Sequence, residues 1–256
     1  MKLSDYYLVK SFEQELFRDE FNTGKKLYCK NTSYFWQIEN TFQQDLEGKV
    51  FQHIGNGYLI AANEEFEEVV KSAKSIDDIM NGLPGKGEVL ATTSDFNIWI
   101  NGYLCCFYLL PKADIYRITE DGLEFANINA EQDMLLYLKK YTENVDNGEI
   151  YISIYDAELL CKSFGEQICS RGYKIAFGKV DYSDISYLDR LHYFQCRDFE
   201  RIVFTKPTDF RYQKEFRIFL TNDRDYENDH IEETGIDISQ SLVLNFAPEG
   251  IIKSTR

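Results

Sequence analysis

Residues 210–220 read FRYQKEFRIFL, an otherwise strand-like stretch with Gln213, Glu215 and Arg217 at every second position. Side chains along a strand point alternately to its two faces. The pattern therefore predicts a strand with Gln213, Glu215 and Arg217 on one face and Phe216, Ile218 and Leu220 on the other. Upstream, Tyr7, Leu8, Phe12, Leu16 and Phe17 recur at helical spacing and predict a helix over 5–20, stopped by Gly24. KKLYCKN predicts a short strand, and SYFWQIENTFQQDLEG a helical segment capped by Ser33 and ended by Gly48. GYLIAA predicts a strand, NEEFEEVVKSAKSIDDIMNG a helix from Asn63 to Gly82, and GLPGKG a loop.

The run FNIWINGYLCCFYLL is nearly all apolar after Gly102, as a central strand buried on both faces would be, and Pro111 ends it. EQDMLLYLKKYTENV predicts an amphipathic helix. The segment from Gly148 to Asp184 then predicts strand, helix, strand, with Asp156 as the helix cap and Gly172 at its end. That is one crossover unit, or a split one with a strand inserted. RIVFTKP leads to the strand at 210–220, an acidic loop spans Asp225 to Asp237, and SLVLNF precedes a final turn at Pro248. Irregular alternation of strands and uneven helices, without repeats or a linker-like stretch, points to a single α+β domain over 1–256, a mixed β-sheet with flanking helices.

Composition narrows the setting. With 256 residues and 44% hydrophobic content the chain can bury a sizeable core. No apolar run approaches the roughly 18–20 residues that span a bilayer. The acidic residues near the start interrupt any export signal, so a cytoplasmic protein is expected. A formal net charge of -15 counts against general nucleic-acid binding and against anionic membranes, and suits an acidic surface that meets a basic protein. The six cysteines follow neither zinc-site spacing nor disulfide density, so buried free thiols are expected, Cys105 and Cys106 among them. His53, His192 and His230 lie far apart, and no metal site is predicted. GLPGKGE lacks the spacing of a phosphate loop.

Two places carry candidate chemistry. Glu39, Asp45 and Glu47 bracket a polar stretch, either a solvated surface or one side of a cleft. The strand at 210–220 is the stronger candidate, because a strand-borne carboxylate can accept a hydrogen bond from a hydroxyl and stabilise positive charge. On this reading Gln213 orients an acceptor, while Arg217 either pairs with Glu215 or holds a phosphate. The bland alternative is a surface ladder of Gln, Glu and Arg. Asp209, ahead of Glu215 and Arg217, also permits a metal-dependent nuclease layout, although an arginine stands where such sites want a lysine.

The layout of GKKLYCKNTSYFWQIENTFQQDLEG, YLCCFYLL, GKVDYSD and FTKPTDFRYQKEFRIFL resembles a diffuse group of bacterial and phage proteins classed as domains of unknown function. Gln213-Lys214-Glu215 is similar to the Gln-x-Glu signature of ADP-ribosyltransferases, whose fold is a mixed, split β-sheet with helices. That resemblance implies NAD as cofactor and Glu215 as the catalytic glutamate, which in that family contacts the nicotinamide ribose and stabilises an oxocarbenium-like transition state. It implies Gln213 as the acceptor-orienting residue. The family's early-strand arginine and mid-chain Ser-Thr-Ser strand are replaced here by KKLYCKN and YLCCFY, leaving Tyr28 and Arg217 as the cofactor-binding candidates. The competing expectation is a non-catalytic acidic factor in the conflict between phage and host, docking an unidentified protein.

Overall fold

The computed structural model describes residues 1–24, 27–32, 49–60, 89–100, 102–119, 122–143, 150–185, 189–190, 192–193, 196–221, 230–233, 242–247 and 250–252. For 23–24, 49–60, 89–99, 230–233, 242–247 and 250–252 only the backbone is described. The elements are β1 (Tyr6–Phe12), α1 (Glu15–Gly24), β2 (Leu27–Asn31), β3 (Lys49–Ile60), β4 (Val89–Trp99), β5 (Tyr103–Pro111), β6 (Ile115–Thr119) and β7 (Gly122–Phe125). Then come α2 (Ile128–Thr142), β8 (Ile150–Asp156), α3 (Ala157–Ser170), β9 (Lys174–Lys179), β10 (Asp181–Tyr182), α4 (Phe199–Val203) and β11 (Thr205–Lys206). A 3-10 segment, Thr208–Gln213, leads into β12 (Glu215–Thr221), followed by β13 (His230–Glu233), β14 (Leu242–Ala247) and β15 (Gly250–Ile252). Helices and a mainly antiparallel sheet make this an α+β protein.

The backbone forms two compact units. One comprises Met1–Glu47, Asn101–Ser183 and Phe204–Arg256, the other Gly48–Ile100 and Asp184–Val203. The second unit contains the long antiparallel pair β3 and β4, which includes part of the GYLIAA strand, and the short helix α4. None of the described helices is long and apolar enough to cross a membrane.

In the first unit, nine described strands form one sheet around β5. One edge of β5 pairs with β12, from Glu215↔Tyr108 to Leu220↔Tyr103. Its other edge is shared. β1 pairs with its end, from Tyr6↔Pro111 to Val9↔Tyr108, and β2 with its beginning, at Lys30↔Leu104 and Asn31↔Tyr103. The sheet is thus forked where β5 passes through Cys105, Cys106 and Phe107. Beyond β1 lie β8, β14 and β15, beyond β2 lies β13, and beyond β12 lies β9. Every described pair of this sheet is antiparallel, so the expected mixed sheet is not what forms. The parallel ladder among the described residues is the separate pairing of β10 with β11.

Alternation of direction makes β8 and β9, the strands either side of α3, parallel to each other. β1, β5 and β12 lie between them, where the sequence allowed a single inserted strand. Asp156 caps α3 as expected: its Oδ1 accepts from the Leu159 amide at 3.0 Å, and Gly172 follows the helix at φ 84°. One sheet face packs Leu8, Cys29, Cys105, Phe107, Phe216 and Ile218 with residues of α1 and α3. The opposite face packs Val9, Tyr108, Ile152 and Ile154 against Met134, Tyr137 and Leu138 of α2.

Two sequence expectations are corrected. The helix over 5–20 is strand β1 followed by α1. Val9 and the aromatic residues suit a strand, and both faces of β1 are covered, Leu8 packing on the side of α1 and α3 and Val9 on the side of α2, so the alternation is lost and the spacing mimics a helix. RIVFTKP spans the end of α4 and the two residues of β11. FNIWINGYLCCFYLL is divided between β4 and β5, which belong to different sheets, while β5 itself is central and ends at Pro111. The acidic loop Asp225 to Asp237 contains β13, and SLVLNF falls in β14. The segments 33–48 and 63–87, with Ser33, Glu39, Asp45 and Glu47, and the turn at Pro248, lie outside the described residues.

Candidate functional site

Pro207, at φ -55° and ψ 149°, opens the 3-10 segment that ends at Gln213. Lys214 then adopts a left-handed conformation, φ 41° and ψ 48°, which turns the chain into β12. Two bonds hold this corner: the Leu109 amide donates to the Lys214 carbonyl at 2.8 Å, and Lys214 Nζ pairs with Asp133 of α2 at 2.6 Å. Gln213 therefore precedes the strand instead of alternating along it, a correction to the sequence reading. Its side chain is buried.

Glu215 and Arg217 do share a face of β12, opposite Tyr108 and Cys106 of β5. They are not a surface ladder. Arg217 is 0% exposed, and the Glu215 side chain retains 13%. Both guanidinium donors converge on one carboxylate oxygen, Nε at 3.0 Å and Nη2 at 2.8 Å from Oε2. The other oxygen, Oε1, faces Lys206 Nζ at 3.3 Å, and Lys206 is 1% exposed. Charge-assisted pairs at these distances offset part of the desolvation cost that three buried charges incur.

The neighbouring backbone explains how Lys206 arrives there. The Asp181 amide donates to the Phe204 carbonyl and the Ser183 amide to the Lys206 carbonyl, fixing β11 beside β10. The Val180 amide donates to the Glu215 carbonyl at 2.9 Å, and the Glu215 amide donates to Tyr182 Oη at 2.8 Å. Burial first, and the Glu215 charge second, push the Tyr182 phenol up, so it stays protonated and keeps a hydrogen for a further acceptor. Burial likewise pushes Tyr137 up to about 12; its ring lies 4.8 Å from that of Tyr108. Lys206 Nζ also sits 4.9 Å from the Phe210 ring centroid.

Tyr28 lies on β2, one residue before Cys29, and β2 pairs with β5 through Lys30↔Leu104. It lies across β5 from Arg217, past the end of the β2–β5 ladder. Its ring carries Lys30 Nζ at 4.9 Å. The structure thus brings Glu215 and Arg217 into contact, sets Gln213 at the preceding turn, and leaves Tyr28 across the fork. Asp209 is exposed on the 3-10 segment. Among the described residues, no three His, Cys, Asp or Glu side chains cluster as metal ligands would.

Sequence reading missed Lys206 and Tyr182. Lys206 carried a signal, a lone lysine at the end of the apolar IVF run; Tyr182 is one of 18 tyrosines and carried none. The expectation of buried thiols holds for Cys29, Cys105 and Cys161, while Cys106 is half-buried and Cys169 and Cys196 are exposed; all six are free. No protein-family model, curated protein or solved structure matches the chain.

Proposed function

We propose that the chain is an NAD-dependent enzyme of the ADP-ribosyltransferase type, with Glu215 as its catalytic carboxylate. The observation that supports this reading is the Glu215 carboxylate itself: fixed on both oxygens by buried Arg217 and Lys206, yet still partly open to solvent. A carboxylate so engaged suits a fixed hydrogen-bond acceptor and negative pole better than a mobile proton carrier. The residues present fit a ribose at that end. Glu215 offers the acceptor, Tyr182 a phenolic donor, and the forked sheet agrees with the split sheet that the Gln-x-Glu resemblance implies.

NAD, when bound, supplies an ADP-ribosyl group whose glycosidic carbon becomes positive as nicotinamide leaves. Glu215 would accept a hydrogen bond from a ribose hydroxyl and face that charge, while Arg217 and Lys206 hold the carboxylate in place. Gln213 fixes the turn that aims Glu215 and orients the acceptor. Tyr28 and Arg217 are the cofactor-side residues, Tyr28 by stacking and Arg217 through Glu215.

Isothermal titration with NAD, paired with nicotinamide release, tests the reading on the parent chain and on Glu215→Gln, Gln213→Ala and Tyr28→Ala. We expect saturable binding, a loss of turnover on the order of 100-fold in Glu215→Gln, and thermal midpoints that show the variants folded. Absence of binding at millimolar NAD, or unchanged turnover in Glu215→Gln, would refute it. The net charge of -15 favours a second reading, a non-catalytic factor whose acidic surface docks a basic protein.

A further inference from the structure

At the fork between β1 and β2, a lysine and sulfur atoms stand beside β5. Lys10 of β1 donates from Nζ to the Cys106 carbonyl at 2.9 Å, with Cys105 Sγ 3.8 Å away and the Phe107 ring centroid at 5.4 Å. From the other prong, the β2–β5 ladder ends at Lys30↔Leu104, and Cys29 and Cys105 are the residues one step past that last pair on the two strands. The two thiols lie buried in one core cluster on the same sheet face. Partners in an antiparallel ladder have Cα atoms about 4.5–5.5 Å apart, and residues one step past the last pair stand near the roughly 4.4–6.8 Å range of disulfides.

We infer that Cys29 and Cys105 are a redox pair, oxidised by a small peroxide to a disulfide that ties β2 to β5. The other ionisable groups facing Cys105 are Lys10 of β1, Tyr155 of β8 and Cys161 of α3. Burial pushes the Cys105 thiol up, but the Cys29 hydrogen bond and the Lys10 ammonium outweigh it and bring it down to about 7. Burial pushes Cys29 well up, so the two thiols have unequal roles. Cys105 is the attacking sulfur and Cys29 the resolving one.

The chemistry balances without a further reagent. Cys105 sulfur attacks one peroxide oxygen; the O–O bond breaks, the other oxygen leaves as water with the thiol proton, and Cys105 becomes a sulfenic acid. Cys29 sulfur then attacks Cys105 sulfur, and the sulfenic hydroxyl leaves as a second water with the Cys29 proton. Two thiols lose two electrons, and one peroxide gains them. Lys10 is only partly buried, which leaves a two-oxygen oxidant a way into the fork. Because Tyr28 adjoins Cys29, the bond also fixes its distance from Arg217. The inference is independent of the reading of Glu215.

The full reduced chain is treated with hydrogen peroxide, blocked with N-ethylmaleimide, and digested for mass spectrometry, beside Cys29→Ser, Cys105→Ser and Lys10→Met with thermal midpoints as folding controls. We expect a Cys29–Cys105 peptide pair, reversed by dithiothreitol and absent from both serine variants. Lys10→Met should form it about tenfold more slowly at pH 7 through a smaller thiolate fraction. The proposal is overturned if the folded chain oxidises only at exposed Cys169 and Cys196, or links Cys29 to Cys105 no faster than the urea-unfolded chain does. An unchanged rate in Lys10→Met would overturn the role of the lysine.

Discussion

Asp156 shows how one side chain can serve two elements. It caps α3 through the Leu159 amide and forms an ion pair with Lys112, which follows β5. Burial alone would push its carboxyl up. The Lys112 and backbone hydrogen bonds outweigh that and hold it below its usual value near 3.8. A lowered folded value means stability that is present above the unfolded value and lost as pH falls through the folded one. Asp156→Ala should therefore cost about 1–2 kcal/mol at pH 7 and flatten the stability profile below pH ~4. Asp156→Asn keeps a capping oxygen but loses the charge, so it should cost less while flattening the profile as much. Urea denaturation of the three chains between pH 2.5 and 7 checks both statements; an unflattened Asn profile would show that the ion pair contributes nothing.

Between elements, two glycines mark close approaches that a sequence does not reveal. A Cβ on Gly102, just before β5, would lie 2.3 Å from the Phe219 ring and 2.9 Å from the Leu220 carbonyl oxygen. On Gly178 of β9 it would meet only the Phe204 ring, at 2.8 Å. A ring at a strand edge can turn, but a carbonyl in the β5–β12 ladder cannot leave without breaking register. Gly102→Ala should cost about 2–3 kcal/mol and Gly178→Ala less than half of that, read as denaturation midpoints at unchanged slope. Equal costs would mean that Phe204 is as fixed as the ladder. The same contrast explains what was legible in the sequence. Asp156, Gly172 and the polar face of Glu215 and Arg217 were local signals and were read from their neighbours. β1 was not, because helices cover the sheet on both its faces there and erase the alternation. Gln213 was placed on the strand because nothing in its neighbours announces a left-handed Lys214. Lys206 meets Glu215 only through the corner that joins β11 to β12, a tertiary fact.

At the scale of the molecule, 43 acidic against 28 basic residues give a long-range field that the buried pairs do not alter. Lys206 and Arg217 are sealed and engaged with Glu215, so an approaching ligand meets the acidic surface first. That field falls off over about 10 Å at 0.1 M salt. Anionic NAD is repelled by it, so screening should tighten NAD binding modestly, by a few-fold between 20 and 300 mM sodium chloride. A basic protein is attracted by the same field, and its association should slow and weaken by tenfold or more over that range. Salt thus moves the two functional readings in opposite directions, whereas a loss of folding would weaken both. Titrating NAD at both salt concentrations, with the thermal midpoint measured in each, therefore tests more than affinity. Binding that tightens with salt in the parent chain and vanishes in Glu215→Gln is expected of a nucleotide site behind an acidic surface. NAD binding that weakens steeply with salt would place the ligand on an exposed basic patch and not at Glu215.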